Sequence, residues 1–312
     1  MMGWNDSRAD LGGEMPPATR ERRGRYGGRV LPRLFLLMMG FLPAMGCGSP
    51  GKKERGDSPL RLFVSVLPLQ EVVERIGGTR VTVGVVVAPG RSPETYDPTP
   101  RQMADLAGSR LLFTVGVPFE RIWLPRIARI APDLEVVALH EGEPLAAKGE
   151  DPHLWTSPLF MRRAARKILE ALVAVDPAGR EIYEKGHDAF VRELDALHAS
   201  IERRFASLKS RRFLVFHPAW SAFAQTYGLE QVAVEAAGKE PGPKGLATII
   251  EDARKAGIRA IVVQPQSYPV YARTVAEAIG ARLLPLDPLA PNYLANMAYV
   301  AEKLAEAMEG KG

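Results

Sequence analysis

Glu94, His153, His217 and Asp287 each stand where an apolar, strand-like run gives way to a loop. Two imidazoles with one or two carboxylates form a donor set suited to Zn²⁺, Mn²⁺ or Fe²⁺. His153 is the most telling of the four. It sits in Asp151-Pro152-His153-Leu154-Trp155, where Pro152 fixes its own φ and biases Asp151 toward extended backbone. A histidine held that way is presented at a rigid turn rather than spread along a helix stripe. The chain has five histidines, too few to make core packing their routine use. His217 directly follows the run Phe213 to Phe216, and Asp287 directly follows Leu283 to Leu286. Glu94 lies in a Pro-rich loop after the run Val81 to Val87.

Each residue also has a plainer reading. A lone histidine in a loop is more often hydrogen-bonded than metal-bound. Asp287 before Pro288 fits a turn start, and a glutamate in a Pro-rich loop is usually solvated. Two histidines at strand ends in separate halves of the chain favour ligation. His187 and His198 read as surface residues of a helix. His140, with Glu141 and Glu143, reads as a solvated loop.

The elements that must position these groups alternate. Apolar runs at 62–66, 81–87, 111–115 and 134–139 read as strands, with helices over 67–77, 100–107 and 119–130 between them. Continuous apolar runs of this kind imply parallel strands covered on both faces. A helix over 158–174 follows. Another starts at Pro177, a favourable first-turn residue. It carries Phe190, Leu194, Leu197, Ile201, Phe205 and Leu208 at spacings of one helical face. Strands at 213–216, 232–235, 260–263 and 283–286 then alternate with helices at 219–227, 244–256, 269–279 and 291–309. The expected fold class is α/β, two lobes joined by one long helix. In such sheets ligands bind beyond the carboxyl ends of the strands, so the site is expected between the lobes. The expected division is an N-terminal lobe over 60–176, a connecting helix over 177–209 and a C-terminal lobe over 210–312.

The first 46 residues read as a lipoprotein-type signal peptide, and 47–59 as a flexible tether. An Arg-rich segment precedes the apolar run 34–42, which is too short to span a bilayer as a helix. Ala44-Met45-Gly46 then leads to Cys47, the only cysteine. That resembles a bacterial lipobox, although Ala44 stands where Leu is commoner. Cys47 is the expected lipidation site, and the mature chain would carry no disulfide or thiolate metal site. The basic segment is long, and a start downstream of Met1 would shorten it. The first 46 residues hold a net charge of +3 and the remainder +2, which gives no argument for nucleic-acid binding.

Taken in order, the lipobox, Pro93-Glu94-Thr95-Tyr96-Asp97-Pro98-Thr99-Pro100, Asp151-Pro152-His153-Leu154-Trp155, the strand-end His217 and Leu286-Asp287-Pro288-Leu289 resemble the zinc/manganese solute-binding lipoproteins of ABC importers. The resemblance covers roughly 60–310. It implies two pseudo-symmetric lobes, each a parallel sheet flanked by helices, with a metal held between them. It implies His153, His217 and Asp287 as three ligands. His217 at the third position is similar to the zinc members, where manganese members typically have Glu. The first position departs, with Glu94 where histidine is usual. Glu94 can still ligate through oxygen, and an oxygen-rich shell favours Mn²⁺ or Fe²⁺.

The expected function is therefore capture of a divalent metal, zinc first and manganese next, for delivery to the permease subunits of an importer. The expected protein is a monomer on the periplasmic or cell-surface side, held to the membrane by the lipid at Cys47. It has no catalytic residue on this reading. The alternative is an exported metallohydrolase, with two histidines and Asp287 on the metal and Glu94 as general base. No HExxH and no nucleophile elbow accompanies it.

Overall fold

The computed structural model describes residues 58–143, 151–235, 241–266 and 271–309. The signal peptide, Cys47 and nearly all of the tether lie outside the described residues. The first sheet contains β1 (Leu60–Val64), β2 (Val81–Val85), β3 (Leu111–Thr114) and β4 (Glu135–Ala138), in the order β2-β1-β3-β4. The second contains β5 (Arg212–Val215), β6 (Glu230–Ala233), β7 (Ala260–Val263) and β8 (Arg282–Pro285), in the order β6-β5-β7-β8. All described pairings are parallel. The second order repeats the first, so the fold is two similar α/β lobes. Each order reverses at the strand that opens its lobe, which is where such sheets leave a crevice for ligands.

The apolar run 81–87 outlasts β2 by two residues. Val86 N–H and Val87 N–H still donate to Val64 and Ser65 carbonyls at 2.9 and 3.1 Å, so the extended backbone leaves the sheet gradually. In the first lobe α1 (Pro68–Gly77), α2 (Pro100–Ala107) and α3 (Pro118–Ile130) connect the strands. Thr99 and Gln102 close a capping box ahead of Pro100, which fixes where α2 starts. That matters for the site because Gln102 Nε2 also donates to the Val86 carbonyl at 2.7 Å. It ties both ends of the loop that carries Glu94.

Helix α4 (Pro158–Val175) leads to the long α5 (Arg180–Ala206). At 27 residues, α5 is about 40 Å long. Phe190, Leu194, Ile201 and Phe205 are buried along one side, and Leu208 is buried just past its end. The second lobe adds α6 (Ser221–Tyr227), α7 (Pro243–Lys255), α8 (Ala272–Ile279) and α9 (Tyr293–Glu309). Helix α9 starts two residues later than its sequence pattern because Asn292 adopts a left-handed φ of 57°. One hydrophobic core runs through both lobes, from Val64 and Phe113 through Trp155 and Phe190 to Phe223 and Tyr293. A smaller cluster around Leu214, Ile261 and Val275 fills the other face of the second sheet.

The start of α5 is clamped to the first lobe. Arg80 Nε and Nη2 donate to the two Asp176 oxygens at 2.7 and 2.9 Å, and Tyr183 Oη donates to Oδ2 at 2.5 Å. The Arg80 hydrogen bonds hold the Asp176 carboxyl below its usual range. A carboxyl with a lowered folded-state pKa contributes stability above its unfolded value near 3.9 and loses it as pH falls through the folded value. Asp176→Asn should therefore lower the unfolding midpoint at pH 7, with the gap to the parent closing below about pH 4. A gap unchanged between pH 7 and pH 3 in urea titrations would show that the clamp's charge contributes nothing.

Candidate metal centre

His153 is held before any metal arrives. Asp151 Oδ1 accepts from His153 N–H at 2.9 Å and lies 2.6 Å from His153 Nδ1. Thr156 Oγ1 donates to the His153 carbonyl at 2.8 Å. The residue is 2% exposed. With Nδ1 engaged, Nε2 is the ring nitrogen left for a ligand. Burial alone would push the Asp151 carboxyl up, but its hydrogen bonds to His153 outweigh burial and hold it low.

Asp151 also reaches the second lobe, where its Oδ2 accepts from Ser221 N–H at 3.0 Å. Close by, Trp155 Nε1 donates to the Pro288 carbonyl at 2.7 Å. The Asp-Pro-His-Leu-Trp turn is thus bound on both sides of the cleft.

His217 lies two residues beyond β5, at the strand where the second sheet's order reverses. Its Nε2 is 2.7 Å from Glu94 Oε1 and its Nδ1 is 3.0 Å from Glu235 Oε2. Burial pulls its pKa down, but hydrogen bonds to Glu94 and Glu235 win and push it up to about 9. In turn, the His217 hydrogen bond holds the Glu94 carboxyl below its usual range. The Glu94 loop is anchored by Glu94 N–H donating to Ser92 Oγ at 3.2 Å and Phe119 N–H donating to the Pro93 carbonyl at 3.3 Å.

One ligand atom from each of Glu94, His153 and His217 lies within 4.8 Å of the others. The two imidazole rings meet edge to face, 5.4 Å between centroids. Three candidates from the sequence therefore converge from two lobes. The fourth, Asp287, is not in that group. Its Oδ1 accepts from Gln266 Nε2 and Leu289 N–H, both at 2.8 Å.

Two participants, Asp151 and Glu235, were not among the sequence candidates. Asp151 could have been suspected from its place beside Pro152. Glu235 could be found only by knowing that β6 lies beside β5. His198 and Glu143 also differ from their sequence reading. His198 Nδ1 is 3.1 Å from Tyr227 Oη rather than on an open helix surface. Glu143, read as a solvated loop residue, is buried and accepts from Arg163 Nε at 2.7 Å. Among the described residues, no helix is long and apolar enough to cross a membrane.

Comparison with known proteins agrees with this fold. Residues 62–307 match the family model described as ZnuA, zinc-uptake complex component A, periplasmic. The chain is 27% identical over 256 residues to the manganese-binding lipoprotein MntA of Halalkalibacterium halodurans, covering 79% of this chain and 85% of that one. It is 24% identical over 280 residues to the high-affinity zinc uptake system protein ZnuA of Bacillus subtilis, covering 82% and 88%. A crystal structure of ZnuA superposes with a TM-score of 0.77 at 32% identity, covering 80% of this chain and all of that one. A zinc-bound ZnuA deletion mutant gives 0.75, also at 32% identity, with 80% and 98% covered. These similarities run along the receptor reading and give the hydrolase alternative no support. The chain belongs to the ZnuA family, the solute-binding receptors of metal-importing ABC transporters, which are not enzymes.

Proposed function

We propose that this protein captures zinc, with manganese as the weaker cargo, at Glu94, His153 and His217, and passes it to the permease subunits of its importer. The observation that carries this reading is the three-way convergence of those side chains within 4.8 Å across the two lobes. His217 Nε2 and Glu94 Oε1 already lie 2.7 Å apart, and a divalent cation can take the place of a proton between them. Asp287 is proposed as the fourth ligand, joining once Oδ1 exchanges Gln266 for the metal. Two imidazoles favour zinc over manganese, in line with the general affinity order of divalent ions. Each added carboxylate narrows that margin.

Release is proposed to need only modest rearrangement. The α5 connector, the Asp151–Ser221 hydrogen bond and the Trp155–Pro288 hydrogen bond all resist wide opening of the cleft. On this reading the chain acts as a monomer, outside the cytoplasmic membrane and anchored by a lipid on Cys47.

The test is a competition titration of metal-stripped protein with Zn²⁺ and Mn²⁺ against a chromophoric chelator. The expected result is a single site that holds zinc more tightly. Absence of binding by either metal would overturn the reading, and tighter manganese binding would overturn the zinc assignment.

A further inference from the structure

Glu235 is a partly buried carboxylate at the carboxyl end of β6, its side chain 11% exposed. The ladder places it. Val234 N–H donates to the Val215 carbonyl at 2.8 Å, and Glu235 N–H donates to the Phe216 carbonyl at 3.0 Å. The β5–β6 pairing is thus carried two residues past its last register pair, Val215 with Ala233. That extension sets Glu235 beside His217, with Oε2 3.0 Å from Nδ1. The other ring nitrogen, Nε2, is the one that faces Glu94. Glu235 is not in the three-residue ligand group.

We infer that Glu235 is a positioning residue for the metal site. It accepts the Nδ1 proton of His217, fixes the ring's rotation, and reserves Nε2 for the metal. A carboxylate behind a ligating imidazole also makes the nitrogen in front a stronger donor. The first lobe has the same arrangement in another form, because Asp151 sits on Nδ1 of His153 at 2.6 Å. The two histidines are therefore braced by carboxylates from opposite lobes, one through a tight turn and one through a neighbouring strand. The second brace needs no local motif, only a strand pair. This inference rests on His217 being a ligand, as proposed above.

The experiment pairs metal titration with a tautomer measurement on the full mature chain. Parent, Glu235→Gln and Glu235→Ala are titrated with Zn²⁺ against a chelator, and apo-state thermal unfolding is recorded for each. Imidazole nitrogen NMR of the zinc-loaded parent reads which His217 nitrogen keeps its proton, and it needs no variant to fold. The expected loss for Glu235→Ala is about 10- to 100-fold in zinc affinity. Glu235→Gln, whose amide oxygen can still accept from Nδ1, should recover part of that loss. The loaded parent should show Nδ1 protonated and Nε2 on zinc. A loss smaller than ~5-fold for Glu235→Ala, set against that usual range, overturns the inference, as does zinc on Nδ1 in the parent. A parent that binds no metal overturns the site reading itself, whereas a parent that binds zinc while the variants match it overturns this inference alone.

Discussion

A His153→Ala protein should gain no thermal stability from zinc, while the parent gains about 4 kcal/mol at a free metal concentration ~1,000 times its dissociation constant. For a protein of this size that corresponds to a rise of roughly 8–16 °C in unfolding temperature. The expectation follows from how the residue is held. His153 is 2% exposed, its backbone and Nδ1 are both tied to Asp151, and its ring stands 5.4 Å from that of His217. The imidazole is already in place, so little ordering is needed on binding, and nothing nearby in the three-residue group can replace its nitrogen. Truncation leaves Glu94 and His217 facing each other, an ion pair with no need for a metal. The variant should also lose some apo stability, because a buried ring is removed and Asp151 Oδ1 loses one of its two partners, keeping only the backbone N–H of residue 153. The decisive comparison is therefore the shift on adding zinc, measured by differential scanning calorimetry within each protein. A zinc-dependent shift in His153→Ala equal to the parent's would remove His153 from the site.

Trp155→Ala should destabilise the folded protein by about 3–5 kcal/mol, as expected for truncating a large buried aromatic residue. Trp155 is fully buried, belongs to the core shared by both lobes and donates to the Pro288 carbonyl across the cleft at 2.7 Å. Its ring centroid is 5.0 Å from that of His153, so the cavity would also loosen that imidazole. Trp155→Phe separates these contributions. It keeps most of the volume but leaves the Pro288 carbonyl without its donor, at a cost of about 1–3 kcal/mol. Urea unfolding of the metal-free proteins measures both. A loss under ~1 kcal/mol for Trp155→Ala, far below the range for buried aromatic truncations, would mean that the lobes do not depend on this contact.

Much of this fold is written in local pattern. Apart from Thr114, the runs at 111–115 and 260–263 are apolar because β3 and β7 are central strands, buried on both faces. The stripe from Phe190 to Phe205 has a helical period because one side of α5 faces the core. The ends of elements shift by one to three residues where backbone hydrogen bonds or a left-handed residue intervene, as at Val86 and Asn292. These details depend on neighbours and not on the local run.

Glu94, His153, His217 and Asp287 could be picked from the sequence because ligand-bearing loops sit at the carboxyl ends of parallel strands, and those ends can be counted off. Which of the four converge could not. Glu94 and His217 are 123 positions apart, and their 2.7 Å contact exists only because one lobe is docked on the other. Asp287 shares the same strand-end position, but in this structure its Oδ1 faces Gln266 and Leu289. Glu235 became visible only through strand order, since β6 joins β5 by a pairing that no residue pattern specifies. Periodicity records which side of an element is buried, so the sequence by itself determined the elements, their faces and the positions from which ligands are offered. Side-chain distances between elements depend on how whole lobes pack, so the tertiary structure alone decided which offered ligands meet and which carboxylates stand behind them.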